Sequence, residues 1–179
     1  MILPFVRELF ADVETLPAFL RVASHLREST KRIGVSGLSQ SAKALLLVLW
    51  RRAAERPIIV VVPDNRAADE LVPILKAFCE LTTAADPDSV VCLPARDVLL
   101  FQNLSPHPEI QEERATALWK IASGAVSILV VPVAATTIRL RAPEYYVDLG
   151  RVIRRGEAID VDAVLRHLNT VGYSSTDVV

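Results

Sequence analysis

The run Ile58-Ile59-Val60-Val61-Val62, stopped by Pro63-Asp64-Asn65, constrains this chain more than any other feature. β-Branched residues at every position, with no polar alternation, suit a strand covered on both faces, as in a parallel sheet flanked by helices. Similar runs recur along the chain. Ser89-Val90-Val91-Cys92-Leu93 and Val126-Ser127-Ile128-Leu129-Val130-Val131 read as two further strands, and Lys31 to Ser36, ending at Gly37, reads as one that precedes them all. Between these runs the apolar spacing changes to three and four. It predicts helices up to about Arg27, from Ser41 to about Arg56, from Ala67 to about Leu81, and from Glu109 to Ser123. Strand and helix taking turns, with connections long enough for crossovers, give an α/β fold: a parallel sheet with helices on both faces.

After Pro143 the texture changes. Two short candidate strands, around Tyr146-Val147 and Val152-Ile153, are separated by Asp148-Leu149-Gly150. Asp160 is placed to cap a helix running to Val171, with Gly172 just past its end. The expected organisation is one α/β domain over 1–142 and the beginning of a small α+β unit over 143–179. That unit is too small for an independent core and is read as incomplete.

Composition excludes several classes. Of 179 residues, 51% are apolar and 23% charged, which is ordinary globular usage and far from a disordered signature. A net charge of -1 and a pI near 6.3 argue against a domain held to DNA mainly by a basic surface, while leaving room for a local patch. Cys79 and Cys92 each sit inside an apolar run, as buried small hydrophobes in a reducing compartment would. His25, His107 and His167 have no metal-ligand spacing. Charges come too early for a signal peptide, and no apolar stretch reaches the roughly 18 residues that span a bilayer. The expectation is a cytoplasmic protein with no membrane partner.

The stretch Gly37-Leu38-Ser39-Gln40-Ser41-Ala42-Lys43-Ala44 sits where a strand should pass into a helix, the place of a phosphate loop. A working loop reads G-x-x-x-x-G-K-[ST]: glycines let backbone N–H groups curl around phosphate, the lysine neutralises it, and the hydroxyl holds magnesium. Gly37 and Lys43 keep that pattern and Ser41 lies inside it, but Ala42 replaces the second glycine and Ala44 the hydroxyl. Taken alone, the stretch is either a vestigial loop or an ordinary turn. No acid follows the strand ending in Val131-Pro132-Val133, so a second part of the hydrolytic machinery is missing too. The expectation is a degenerate P-loop domain, RecA-like or helicase-type, with no competent ATP hydrolysis. Weak anion binding at the helix N-terminus stays open.

Other candidates have plainer roles. Asp64 suits a turn or helix start, and Ser105-Pro106-His107-Pro108-Glu109 suits helix initiation. Arg139, Arg141, Arg151, Arg154 and Arg155 gather at the domain boundary, as a solvated face or as a contact for nucleic acid or an acidic partner.

Three stretches carry a resemblance. Leu104-Ser105-Pro106-His107-Pro108-Glu109-Ile110 with Glu113-Arg114, then Ile128-Leu129-Val130-Val131-Pro132-Val133, then Gly156, Leu165, Leu168 and Val171-Gly172-Tyr173 resemble the N-terminal module of the bacterial transcription-repair coupling factor, Mfd. That module is homologous to the excision-repair protein UvrB. Here the loop is broken, and the stretch from Leu93 to Glu109 is too short for UvrB's aromatic hairpin; both features favour the coupling factor. The resemblance implies a non-catalytic module that recruits UvrA to stalled RNA polymerase. RNA polymerase and DNA are engaged through motor domains elsewhere, and ATP and magnesium belong only to those domains. Partner-facing residues within this stretch would be Tyr173, Ser174 and Asp177, although the position after Gly-Tyr, often basic in the family, is Ser174 here. The alternative is a nucleotide-binding piece of an ATP-dependent helicase or UvrB-like repair protein.

Overall fold

A computed structural model describes residues 4–28, 32–98 and 107–173. Two helices open the chain, α1 (Pro4–Thr15) and α2 (Pro17–Glu28), where the periodicity predicts one; Pro17 begins the second. After α3 (Gln40–Ala54) come β1 (Ile58–Val62), α4 (Asn65–Thr82), a single 3₁₀ turn and β2 (Val90–Cys92). The chain continues through α5 (Pro108–Ala122), β3 (Ile128–Pro132), the one-turn α6 (Val133–Thr136), α7 (Pro143–Leu149) and α8 (Val161–Thr170).

Among the described residues the sheet has three strands in the order β1-β3-β2, all parallel. The last strand in sequence is therefore central. Ile128 pairs with both Ile58 and Val90, and Val130 with both Val60 and Cys92. Just before β3, Ser127 ties both neighbours together: its carbonyl accepts from the Ile58 amide at 3.0 Å and its amide donates to the Ser89 carbonyl at 2.9 Å.

Alternation along the strands separates two apolar layers. On one face Val62, Val90, Ile128 and Val130 pack with Ala44 and Val48 of α3 and with Ala68, Leu71, Leu75 and Cys79 of α4. On the other, Val91, Leu93 and Val131 pack with Ala117 of α5 and Ala135 of α6. Helices thus cover both faces. The opposite side of α3 receives the N-terminal hairpin, with Leu49 against Phe19 and Ala23. Arg27 fastens that hairpin by donating from Nε to the Ala53 carbonyl at 2.8 Å, and Arg52 pairs with Glu14.

Four expectations are corrected. Residues 32–36 belong to no strand: Ile33 and Val35 lie exposed, with Gly34 between them. Two apolar side chains around a glycine bury too little to hold a strand at a sheet edge. Tyr146-Val147 is part of helix α7, which Pro143 starts, and Val152-Ile153 is an exposed stretch outside any strand. Finally, β1 is not buried on both faces. Ile59 is 66% and Val61 56% exposed, because β1 is an edge strand and α5 lies over the β2–β3 side.

This layering predicts a sharp contrast. Ile128→Ala, at a fully buried central position, should cost about 2–5 kcal/mol in urea unfolding. Ile59→Ala should stay within about 0.5 kcal/mol. Equal losses at the two positions would contradict the order β1-β3-β2.

Candidate functional site

The turn into α3 is built from Gly37 and Ser39. Gly37 has φ +79, a left-handed conformation that glycine adopts without penalty. Ser39 is extended and acts as the N-cap, its Oγ accepting from the Ala42 amide at 3.3 Å. That amide is one of the donors a phosphate would use, and here a side chain takes it. Ser41 and Lys43 are exposed on the first turn. Ala44, at the place of a magnesium-binding hydroxyl, is fully buried in the core between α3, α4 and the sheet. Gly37, Ser41 and Lys43 are therefore close in the chain, while Ala44 faces apolar packing.

In open α/β sheets ligands bind beyond the carboxyl ends of the strands. That region is occupied by structural bonds here. Asp64 caps α4, its carboxylate accepting from the Ala67 amide at 2.8 Å. The Asn65 amide group closes on Ala95: the Ala95 N–H donates to Oδ1 at 2.8 Å, and Nδ2 donates to the Ala95 carbonyl at 3.1 Å. From the other side Arg114, only 7% exposed, donates to the Pro94 carbonyl. Burial is the main cause that lowers the Arg114 pKa, with repulsion from Arg96 adding to it. Sequence reasoning missed both Asn65 and Arg114. A signal for Arg114 existed: it stands on the same helical stripe as Ala117, Leu118 and Ile121, where a charge calls for a buried partner.

His107 occupies the N-cap position of α5 without a side-chain cap, and its amide donates to the Asp97 carboxylate at 3.2 Å. A groove lies where α5 packs beside α7, with a volume of about 900 Å³. Arg96, Arg114, Trp119, Tyr146, Arg151 and Tyr173 are among its walls. Gly150 is required there for space: a Cβ would collide with the Trp119 indole. Tyr146 Oη accepts from the Arg141 amide at 3.0 Å, and the Arg141 guanidinium sits 4.4 Å from the centre of the Tyr145 ring. Of the expected partner-facing residues, Tyr173 is on this groove and 68% exposed; Ser174 and Asp177 lie outside the described residues.

Burial pushes the Cys92 thiol up to about 11, with Asp69 and Glu113 adding to the effect, and raises Cys79 as well. Both cysteines are free. Among the described residues no group of three or more His, Cys, Asp or Glu could hold a metal ion, and no helix is long and apolar enough to cross a membrane.

No family model matches the chain. Individual relatives do. It is 24% identical over 161 residues to a transcription-repair-coupling factor of Bacillus subtilis, covering 90% of this chain and 13% of that protein. It is 24% identical over 169 residues to that of Staphylococcus aureus, covering 92% and 14%, and 24% identical over 166 residues to that of Haemophilus influenzae, covering 93% and 13%. The chain therefore spans about one-seventh of the length of the curated relatives it matches, but matches them over nearly all of its own.

Two measurements check the geometry. Asn65→Ala leaves both polar groups of Ala95 without their partner and should cost about 1–3 kcal/mol in denaturant unfolding. Alkylation of Cys92 should be slow at pH 8 and accelerate up to about pH 11, as the thiolate forms. Because the folded state holds this proton more tightly than the unfolded chain, its contribution to stability is complete below about pH 9 and lost as pH rises through about 11. An ordinary surface-thiol profile would contradict the packing around β2.

Proposed function

We propose that this chain, a relative of bacterial transcription-repair coupling factors over nine-tenths of its length, is the UvrB-like N-terminal module of such a factor. In this reading it recruits UvrA to stalled RNA polymerase in the cytoplasm and does not hydrolyse ATP. The observation that carries it is the match itself, at the same identity to factors from three bacterial species.

The rest of the reading rests on physical detail. A parallel sheet with helices on both faces supports descent from a P-loop, RecA-like domain over residues 1–142. Ser39 occupying the Ala42 amide and Ala44 facing the core support a degenerate nucleotide site. ATP and magnesium then serve motor domains elsewhere in the factor, and RNA polymerase and DNA are engaged there. The second unit, from residue 143, supplies the UvrA-facing side. Its helix α8 leaves Val161 and Leu165 exposed, 65% and 50%, an apolar face open to a partner.

Two titrations test this. UvrA from the same organism should bind the chain, and Tyr173→Ala should weaken that binding; no UvrA binding by the full factor carrying this module would overturn the recruitment role. Calorimetry with ATP and magnesium should show no magnesium-dependent heat. Ala44→Thr should not create any, and should instead destabilise the fold by about 1–3 kcal/mol through overpacking. Magnesium-dependent ATP binding by the unaltered chain would favour a nucleotide-binding helicase module.

A further inference from the structure

The groove between α5 and α7 brings together aromatic rings and guanidinium groups. All three tyrosines of the chain and one of its two tryptophans line it. Arg96, Arg114 and Arg151 line it too, and among the described residues no carboxylate does. In a chain of net charge -1 that is a local reversal of sign. Arg114 is committed to the Pro94 carbonyl, but Arg96 and Arg151 have no ion pair among the described residues. Asp97, next to Arg96, is engaged by the His107 amide. Two guanidiniums are thus left facing open space beside exposed rings.

The fold sets this up from several elements. Arg114, Leu118 and Trp119 share one side of α5, Tyr145 and Tyr146 come from α7, and Tyr173 follows α8. Tyr145 and Tyr146 stand edge to face at 5.3 Å, and Gly150 lets the Trp119 indole close the wall. Tyr173, 68% exposed, presents its ring at the mouth.

We infer that this groove binds single-stranded nucleic acid, with Arg96 and Arg151 contacting phosphates and Tyr173 stacking on an unpaired base. Cationic grooves interleaved with aromatic rings hold single strands in this way, because every base offers a π face. A duplex keeps its bases stacked on one another and leaves the rings unused. An acidic peptide would satisfy the arginines alone. The role lies beyond UvrA recruitment: it gives the module its own contact with unpaired strand, such as surrounds a stalled transcription complex.

The test uses the whole chain carrying Trp50→Phe, so that Trp119 is the only tryptophan. The Trp50 Nε1 has no hydrogen-bond partner, so losing it orphans no acceptor. Oligo-thymidylate of about ten nucleotides, added at about 50 mM salt, should change Trp119 emission, and affinity should fall as salt rises. Arg96→Ala with Arg151→Ala should weaken binding about tenfold or more and flatten the salt dependence. Tyr173→Ala should weaken it roughly tenfold while Tyr173→Phe retains it. These three side chains are exposed, so the variants should fold. No binding at low salt, or binding indifferent to these substitutions, overturns the inference. Displacement by polyglutamate or by duplex DNA as effective as by oligo-thymidylate also overturns it, the first marking an acidic-protein site and the second a general electrostatic one. UvrA binding that survives Arg96→Ala with Arg151→Ala, while oligonucleotide binding is lost, separates this inference from the recruitment role.

Discussion

Everything in this fold depends on the burial of β3 between two helical layers. Ile128 and Val130 face α3 and α4; Val131, one residue on, faces α5 and α6. Fully burying such side chains contributes about 1.5–3 kcal/mol each, so this short strand anchors both layers at once. Because β3 comes last in the sheet's sequence but lies at its centre, neither β1 nor β2 has a parallel partner until it is in place. Ser127 begins that union by binding both neighbours through its backbone.

The carboxyl ends of the strands show what this arrangement leaves for chemistry. Asp64 is a helix cap, Asn65 holds the Ala95 backbone, and Arg114 holds Pro94. Polar groups at a position suited to ligand binding are thus spent on one another. The same applies at the start of α3, where Ser39 accepts from Ala42. The groove between α5 and α7, by contrast, keeps Arg96, Arg151 and Tyr173 open to solvent.

Much of this was legible in the residues. The runs at 58–62, 89–93 and 126–131 all became strands, and the periodic stretches between them became α3, α4 and α5 with ends shifted by a residue or two. The Asp160 cap and the left-handed Gly172 after α8 also stand as read. The strand expected over Lys31 to Ser36 failed because its alternation is right but its burial is not: residues 32–36 find no layer to pack against. Tyr146-Val147 went to helix because Pro143 presets a first turn, which outweighs the β propensity of the two residues. Gly37, Ser41 and Lys43 were singled out by pattern alone. Asn65, Arg114 and the groove were not, since their partners are distant in sequence.

The sequence by itself determined the alternating elements, the caps at Asp64 and Asp160, and the absence of a glycine and a hydroxyl from the phosphate pattern. These follow from local chemistry, which a few adjacent residues fix. Only the tertiary structure decided that β3 is central, that β1 keeps an exposed apolar side, that Ala44 faces the core, and that Arg96, Arg151 and Tyr173 line one groove. Those outcomes depend on which surfaces the crossovers bring together, and packing between distant segments leaves no periodic trace along the chain.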